Sequence, residues 1–313
     1  MNMIWIIRLT VLPFLCTAIL SCTQRWEVTE DGKGILLAED GKKVLYYQKA
    51  PKSWQGKSER CNYIHPLYGI NEQILTQDFP LDTHTDHLHQ RGVYWAWHQI
   101  YIGTKRIGDA WINANFEWDV TETRVHKFRD SCVIAATVYW KSPRWLDTRG
   151  EKKAFAREDI SFKVHPALDN FRVLDFSILI TALEDSLLIG GSEDVKGYGG
   201  FSIRLDPGVG LAFENAYGKV EPQLTAVDAG SWMNIIGNWD KAVSKEGVIM
   251  ISHPGNPGHP QPWIIRKEGS MQNAMYPGRS PVMIPPGKPL HLRYRVIVYH
   301  GMIGDDIHHW LEP

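Results

Sequence analysis

Residues 290–300 read as one strand: Leu292, Tyr294, Val296 and Val298 face one way, while His291, Arg293 and Arg295 face the other. Successive side chains of a strand point to opposite faces, so this segment predicts a strand with one face buried and one wet. Residues 171–180 repeat the pattern, with Leu174, Phe176, Ile178 and Ile180 set against Asp175 and Ser177. Residues 115–120 do so with Phe116, Trp118 and Val120. Residues 131–140 form an unbroken β-branched and aromatic run, which reads as a strand covered on both faces. No segment sustains a helical period, and only residues 305–312 suit a short helix. Turn signals built on 27 Gly and 18 Pro punctuate the chain. The expectation is an all-β protein, a large antiparallel β-sandwich filling residues 22–313 as one domain.

Residues 1–21 are set apart. One positive charge precedes a short apolar run broken by Thr10, Pro13 and Thr17, which suits a signal peptide rather than a membrane span. The run ends Ala18-Ile-Leu-Ser-Cys22, which resembles a bacterial lipoprotein signal, with Cys22 as the lipidated residue. Each acyl CH₂ buried in a bilayer contributes about 0.8 kcal/mol. The expected location is the bacterial cell envelope, periplasm or outer membrane, with the N-terminal lipid as the only membrane contact. Cys16 leaves with the signal. Cys61 and Cys132 then remain as either a disulfide or two separate buried thiols. The formal net charge of -1 gives no pull toward nucleic acid.

Chemistry is densest in Asp82-Thr-His-Thr-Asp-His-Leu-His-Gln-Arg-Gly92. Its histidines, His84, His87 and His89, are followed by His98 beyond Tyr94-Trp-Ala-Trp97 and preceded by His65. Imidazoles titrate near neutrality and bind metals. Beside aromatic rings they suggest a flat-walled site with a few polar groups. On a strand, His87 and His89 share one face and His84 takes the other. His87, His89 and Arg91 are the catalytic candidates. The histidines would move protons, and the arginine would hold a carboxylate or ring hydroxyls. Solvent-facing structural histidines are the competing reading. A metal site would need those two rings plus His65, His98 or Asp86. No cofactor is predicted, and a divalent metal is the one alternative. Gly190 to Gly200 is glycine-rich but is neither GxGxxG nor a P-loop.

Ligand-binding candidates outside the motif are His65, Tyr68, Trp97, His98, Glu193, Tyr198, His253, Asn256 and Arg295. Each has a plain counterpart. Trp97 fits a core equally well, Glu193 fits a solvated loop, and His253 with Asn256 fits a rigid turn. Arg293 and Arg295 either line a groove or cover the sheet with their aliphatic stems.

Several segments resemble a bacterial family known as PmoA-like, also described as DUF6807. They are Tyr63-Ile-His-Pro-Leu-Tyr-Gly69, Asp86-His-Leu-His-Gln-Arg-Gly92, Tyr198-Gly-Gly-Phe-Ser-Ile-Arg204, the His253-Pro-Gly-Asn-Pro-Gly258 loop, and Leu292-Arg-Tyr-Arg-Val296 with His300-Gly301. The family usually reads Asp-His-x-His-His-Arg-Gly, and Gln90 replaces one of its histidines. The family in turn is similar to galactose mutarotase-like supersandwich proteins, which implies a carbohydrate ligand. An aldose epimerase needs an acid and a base, and Glu268 is the nearest late glutamate. Three functions follow: an envelope lipoprotein enzyme acting on carbohydrate by epimerisation, elimination or hydrolysis; a non-catalytic glycan-binding lipoprotein; or a metal-dependent oxidoreductase, as the family name hints.

Overall fold

The computed structural model describes residues 25–79, 87–205, 210–239, 246–268, 270–302 and 305–311. The signal segment, Cys16, Cys22, Asp82, His84 and Asp86 lie outside the described residues.

Two large sheets dominate. The first has eight strands, in the spatial order Trp26–Glu30, Gly34–Glu39, Lys42–Gln48, Tyr63–Leu67, Val93–Ala96, Gly200–Arg204, Met271–Met275, Trp263–Ile264. The second has nine: Glu117–Lys127, Cys132–Lys141, Ala156–Val164, Phe171–Ala182, Leu290–His300, Glu246–Ser252, Trp232–Gly237, Ala212–Asn215, Gly218–Lys219. Their ladders are antiparallel throughout, for example Leu174 opposite Val296 and Tyr94 opposite Ser202. A four-stranded sheet that includes Gln99–Ile102 and Leu187–Gly190 flanks them. The one helix among the described residues is Asp305–Leu311.

The alternation read from the sequence decides which side chains meet between the sheets. Phe201 of the first sheet stacks on Tyr294 of the second at 4.4 Å and meets Phe176 edge-on at 5.1 Å. Tyr47 meets Phe162 at 5.4 Å in the same interface. Burying a Phe side chain contributes about 1.5–3 kcal/mol, and offset or edge-on ring pairs add about 0.5–1.5 kcal/mol. One carboxylate sits inside this apolar layer. Glu158 is fully buried and accepts hydrogen bonds from Trp95 Nε1 (2.6 Å), Trp140 Nε1 (2.6 Å) and Asn62 Nδ2 (2.8 Å). Burial raises its pKa even against those donors. Glu158 and Trp140 belong to the nine-stranded sheet, Trp95 to the eight-stranded one, so the bonds fix how the sheets register.

One expectation changes here, and one open alternative is resolved. Cys132–Lys141 is not covered on both faces: Ile134, Ala136, Val138 and Trp140 are buried, while Val133, Ala135, Thr137 and Tyr139 are half-exposed. β-Branched residues favour a strand whether or not their face is covered, so the unbroken run reported conformation and not burial. Cys61 and Cys132 are both free and buried. Burial pushes the Cys61 thiol up to about 12 and the Cys132 thiol up to about 11.

Candidate functional site

On strands Val93–Ala96 and Gly200–Arg204, Trp95 and Phe201 point into the core. Tyr94 and Arg204 therefore point to the opposite face. Residues 87–92 of the histidine motif lie over that face, folded as a turn and not a strand. The Gln90 N–H donates to the His87 carbonyl at 2.9 Å. His87 has a φ of 60°. That left-handed value is uncommon for most side chains but enriched for His. The shared-face argument for His87 and His89 therefore fails, yet the turn still brings their rings edge to face at 5.8 Å.

Two buried guanidinium groups hold this turn from below. Arg204 donates to the His87 carbonyl at 2.7 Å and to Gln77 Oε1 at 2.8 Å. Arg91 is fully buried and donates to the carbonyls of Leu88 (3.1 Å), Lys52 (2.6 Å) and Ser58, with Phe79 against its flat face at 4.1 Å. The expected catalytic Arg91 is thus fully buried, its guanidinium taken up by three backbone carbonyls, and it does not line the cavity described below. Gly92 is required beside it: its φ is 55°, and a Cβ would overlap the Ile64 carbonyl oxygen. Gln90, at the family's histidine position, is buried and accepts from the Met271 N–H (3.0 Å) and Ser270 Oγ (3.3 Å). It ties the turn to strand Met271–Met275.

Trp111 is the hub. Its indole is fully buried, with the rings of His98 (5.5 Å, stacked), Tyr198 (5.0 Å), Tyr94 (5.5 Å) and His89 (6.4 Å) around it. The Asp109–Ala114 turn fixes it. Asp109 Oδ1 accepts from the N–H groups of Trp111 (3.0 Å) and Ile112 (3.1 Å), and the Trp97 carbonyl accepts from Ala110 and Trp111. Asp109 Oδ2 lies 2.9 Å from His98 Nδ1. A carboxylate only accepts, so Nδ1 is assigned the hydrogen and Nε2 is left as a bare acceptor. His98 Nε2 and Trp111 Nε1 are both buried without a protein partner.

His87, His89, Tyr198, Lys196, Arg266, Glu268 and Ser270 line one cavity of about 420 Å³ in front of these rings. Pockets for small organic ligands run from roughly 300 to 1,000 Å³. Burial, helped by the charge of Arg60, pushes His89 down to about 3, so its ring is neutral at neutral pH. Burial raises Tyr198, with Asp194 and Asp109 adding to it. Tyr198 is presented by a closed loop in which Ser192 N–H donates to the Tyr198 carbonyl at 2.8 Å and Tyr198 N–H to Ser192 Oγ at 3.1 Å. Glu193 stands at the rim, joined to Asp109 through Arg106.

The remaining candidates lie elsewhere. His65 Nδ1 pairs with Thr76 Oγ1 at 3.0 Å, and burial pushes the ring down to about 4. Tyr68 sits near Lys43, with 6.0 Å from the ammonium to its ring. Trp97 is core: it is fully buried, against Trp140, and donates to the Tyr276 carbonyl at 2.9 Å. Asn256 pins its loop to the Arg293 backbone through bonds of 2.7 Å in both directions. His253 and Arg295 line a different cavity, on the outer face of the nine-stranded sheet. Sequence reasoning missed Asp109, Trp111 and Arg266, which no motif marks. Among the described residues no three His, Cys, Asp or Glu groups gather to hold a metal ion.

The sequence matches a protein-family profile described as a family of unknown function, DUF6807, over residues 35–308. No curated protein sequence matches it. Among solved structures it is similar to the GH36 alpha-galactosidase AgaB from Geobacillus stearothermophilus, with a TM-score of 0.40 and 8% identity, over 88% of this chain and 40% of that one. The chain spans well under half of that protein, and a likeness this low carries nothing of its activity across.

Proposed function

Because this chain belongs to the DUF6807 family, whose function is unknown, we propose from its own residues that the cavity before Trp111 binds a hydroxyl-rich ring of sugar size and performs acid–base chemistry on it. The observation that carries this reading is the convergence of His87, His89, Tyr198 and Glu268 on one cavity beside the Asp109–His98 pair. Neutral His89 offers a ring hydroxyl one donor and one acceptor. The Trp111 indole N–H and His98 Nε2 lie one ring behind the cavity wall, against Tyr198 and His89, and have no protein partner. His98 is the base, since Asp109 behind it fixes the tautomer and stabilises the imidazolium formed when Nε2 takes a proton. Glu268, on the wall of the same cavity, is the second acid–base group of the pair. Epimerisation, elimination and hydrolysis of a glycoside all use such a pair.

The chain is further proposed to be an envelope lipoprotein, cleaved after residue 21 and acylated on Cys22. This rests on the sequence of the first 22 residues. Metabolic labelling with palmitate tests it: label should enter the wild type and not Cys22→Ser.

Turnover of a panel of plant and host glycans tests the chemistry. His98→Asn and Glu268→Gln should each lower turnover by about 10²–10⁴-fold, with an unchanged melting curve. Full turnover in both variants refutes the assignment. Calorimetric binding of a glycan that is never consumed leaves the site as a glycan-binding one.

A further inference from the structure

We propose that the outer face of the nine-stranded sheet holds a second site, built to bind the oxyanion of a small acidic molecule through the guanidinium of Arg293. Three neighbouring strands set it up by register. Lys163, Asp175 and Arg295 stand opposite one another in one row, and Ser161, Ser177 and Arg293 in the next. All six line a cavity of about 280 Å³, with His253 at its wall. The helix Asp305–Leu311 covers this sheet further along, where Ile307 and Leu311 pack on Ile249, Ile251 and Ile297. Trp310 of that helix lies over Arg295, 5.1 Å from its guanidinium, and its carbonyl accepts from Arg295 at 3.0 Å, while the cavity opens over the rest of the two rows.

Charge in the cavity does not balance. Asp175 is the one carboxylate among its lining residues, and it is already engaged by Arg295 Nε at 2.6 Å and His165 Nε2 at 2.8 Å. Lys163 and Arg293 meet no carboxylate among the described residues. Arg293 Nε is buried with no acceptor at all. His253 and His291 lie near enough to Arg293 for its charge to add to burial in lowering their pKa values. His253 Nδ1 accepts the Gly255 N–H at 2.9 Å, so the ring hydrogen is on Nε2, where it donates.

Arg293 is not there merely to cover the sheet. A Cβ on Gly255 would overlap its guanidinium, so that group lies close against the backbone of the 253–258 loop and would shift if the Cβ were added. A guanidinium, an ammonium and an imidazole N–H stand around one concavity whose only carboxylate among the lining residues is already paired, so their donors exceed its free charged acceptors, and a carboxylate or sulfate supplies one. The two sources share this chemistry and differ in geometry: a carboxylate is planar and a sulfate tetrahedral.

Calorimetric titration of the full chain with D-galacturonate, with galactose 6-sulfate and with galactose, in a buffer free of phosphate and sulfate, decides the matter. At least one charged sugar should bind saturably with a Kd below about 1 mM, tenfold or more tighter than galactose. The stronger of the two identifies the source. Arg293→Gln should weaken that binding tenfold or more. Gly255→Ala, which displaces the guanidinium without removing its charge, should also weaken it, and it serves as the second variant if Arg293→Gln melts early. Flat titrations with both charged sugars overturn the proposal, as does equal affinity in wild type and Gly255→Ala.

Discussion

The two outer faces of the sandwich use arginine in opposite ways. Over the eight-stranded sheet, Arg91 and Arg204 are buried under the histidine turn and bonded to backbone carbonyls and Gln77. The side chains left to face a ligand there are the His87, His89 and Tyr198 rings, with Lys196, Arg266 and Glu268 beside them. Over the nine-stranded sheet, Arg293 lines the cavity itself and finds no carboxylate among the described residues. A guanidinium roofed by loops becomes part of the scaffold, because buried carbonyls need donors. One that stands on an uncovered strand face keeps its donors for something else.

The largest effect should come from breaking that contrast in stability. Arg91→Met removes three buried hydrogen bonds to backbone carbonyls and should cost about 3 kcal/mol or more, whereas Arg293→Met should stay within about 0.5 kcal/mol. Urea denaturation of the two variants measures both, and similar losses would erase the distinction. Next comes the acid–base pair. Asp109→Asn should reduce kcat by about 10²-fold while KM stays within about threefold, since Asn keeps the turn but cannot stabilise imidazolium. A rise in KM alone would instead make Asp109 a scaffold residue.

Acid sharpens the comparison further. His89 titrates at about 3 and His65 at about 4 in the folded chain, against about 6.5 when unfolded. Above pH 6.5 both rings are neutral in either state and nothing changes. Below it the unfolded chain takes up protons that the folded chain refuses. Stability therefore falls with pH from about 6.5 down to about 4 for His65 and about 3 for His89, by at most about 1.4 kcal/mol per pH unit for each ring. His89→Gln should flatten that slope by one histidine's share, measured by melting at pH 7, 6 and 5. The smallest effect is at the rim. Glu193→Gln removes an exposed ion pair with Arg106 and should change stability by less than about 0.5 kcal/mol.

How far the site could be read in advance depended on where its residues sit. Arg293 and Arg295 could be assigned to one polar strand face because they alternate with Leu292 and Tyr294 on a regular strand, whereas His253 reaches the same cavity from a loop that no alternation marks. His87 and His89 were identified as chemistry, but their geometry was misjudged, since nothing local distinguishes a left-handed His87 from an extended one. Arg91 and Trp97 looked functional by residue type and proved structural. Whether a guanidinium or an indole faces a cavity or a core depends on loops that are remote in sequence, here at Lys52, Ser58 and Tyr276.

The sequence alone determined the class of fold and the inward face of its long strands. Period-2 alternation is a local steric property of the extended chain, and an apolar face must be covered. The tertiary structure alone decided which side chains share a cavity. Strand Gly200–Arg204 lies between Val93–Ala96 and Met271–Met275, and that non-local pairing carries Tyr198, Ser270 and Glu268 to the His87 turn. No periodicity within any one of those segments encodes its neighbours.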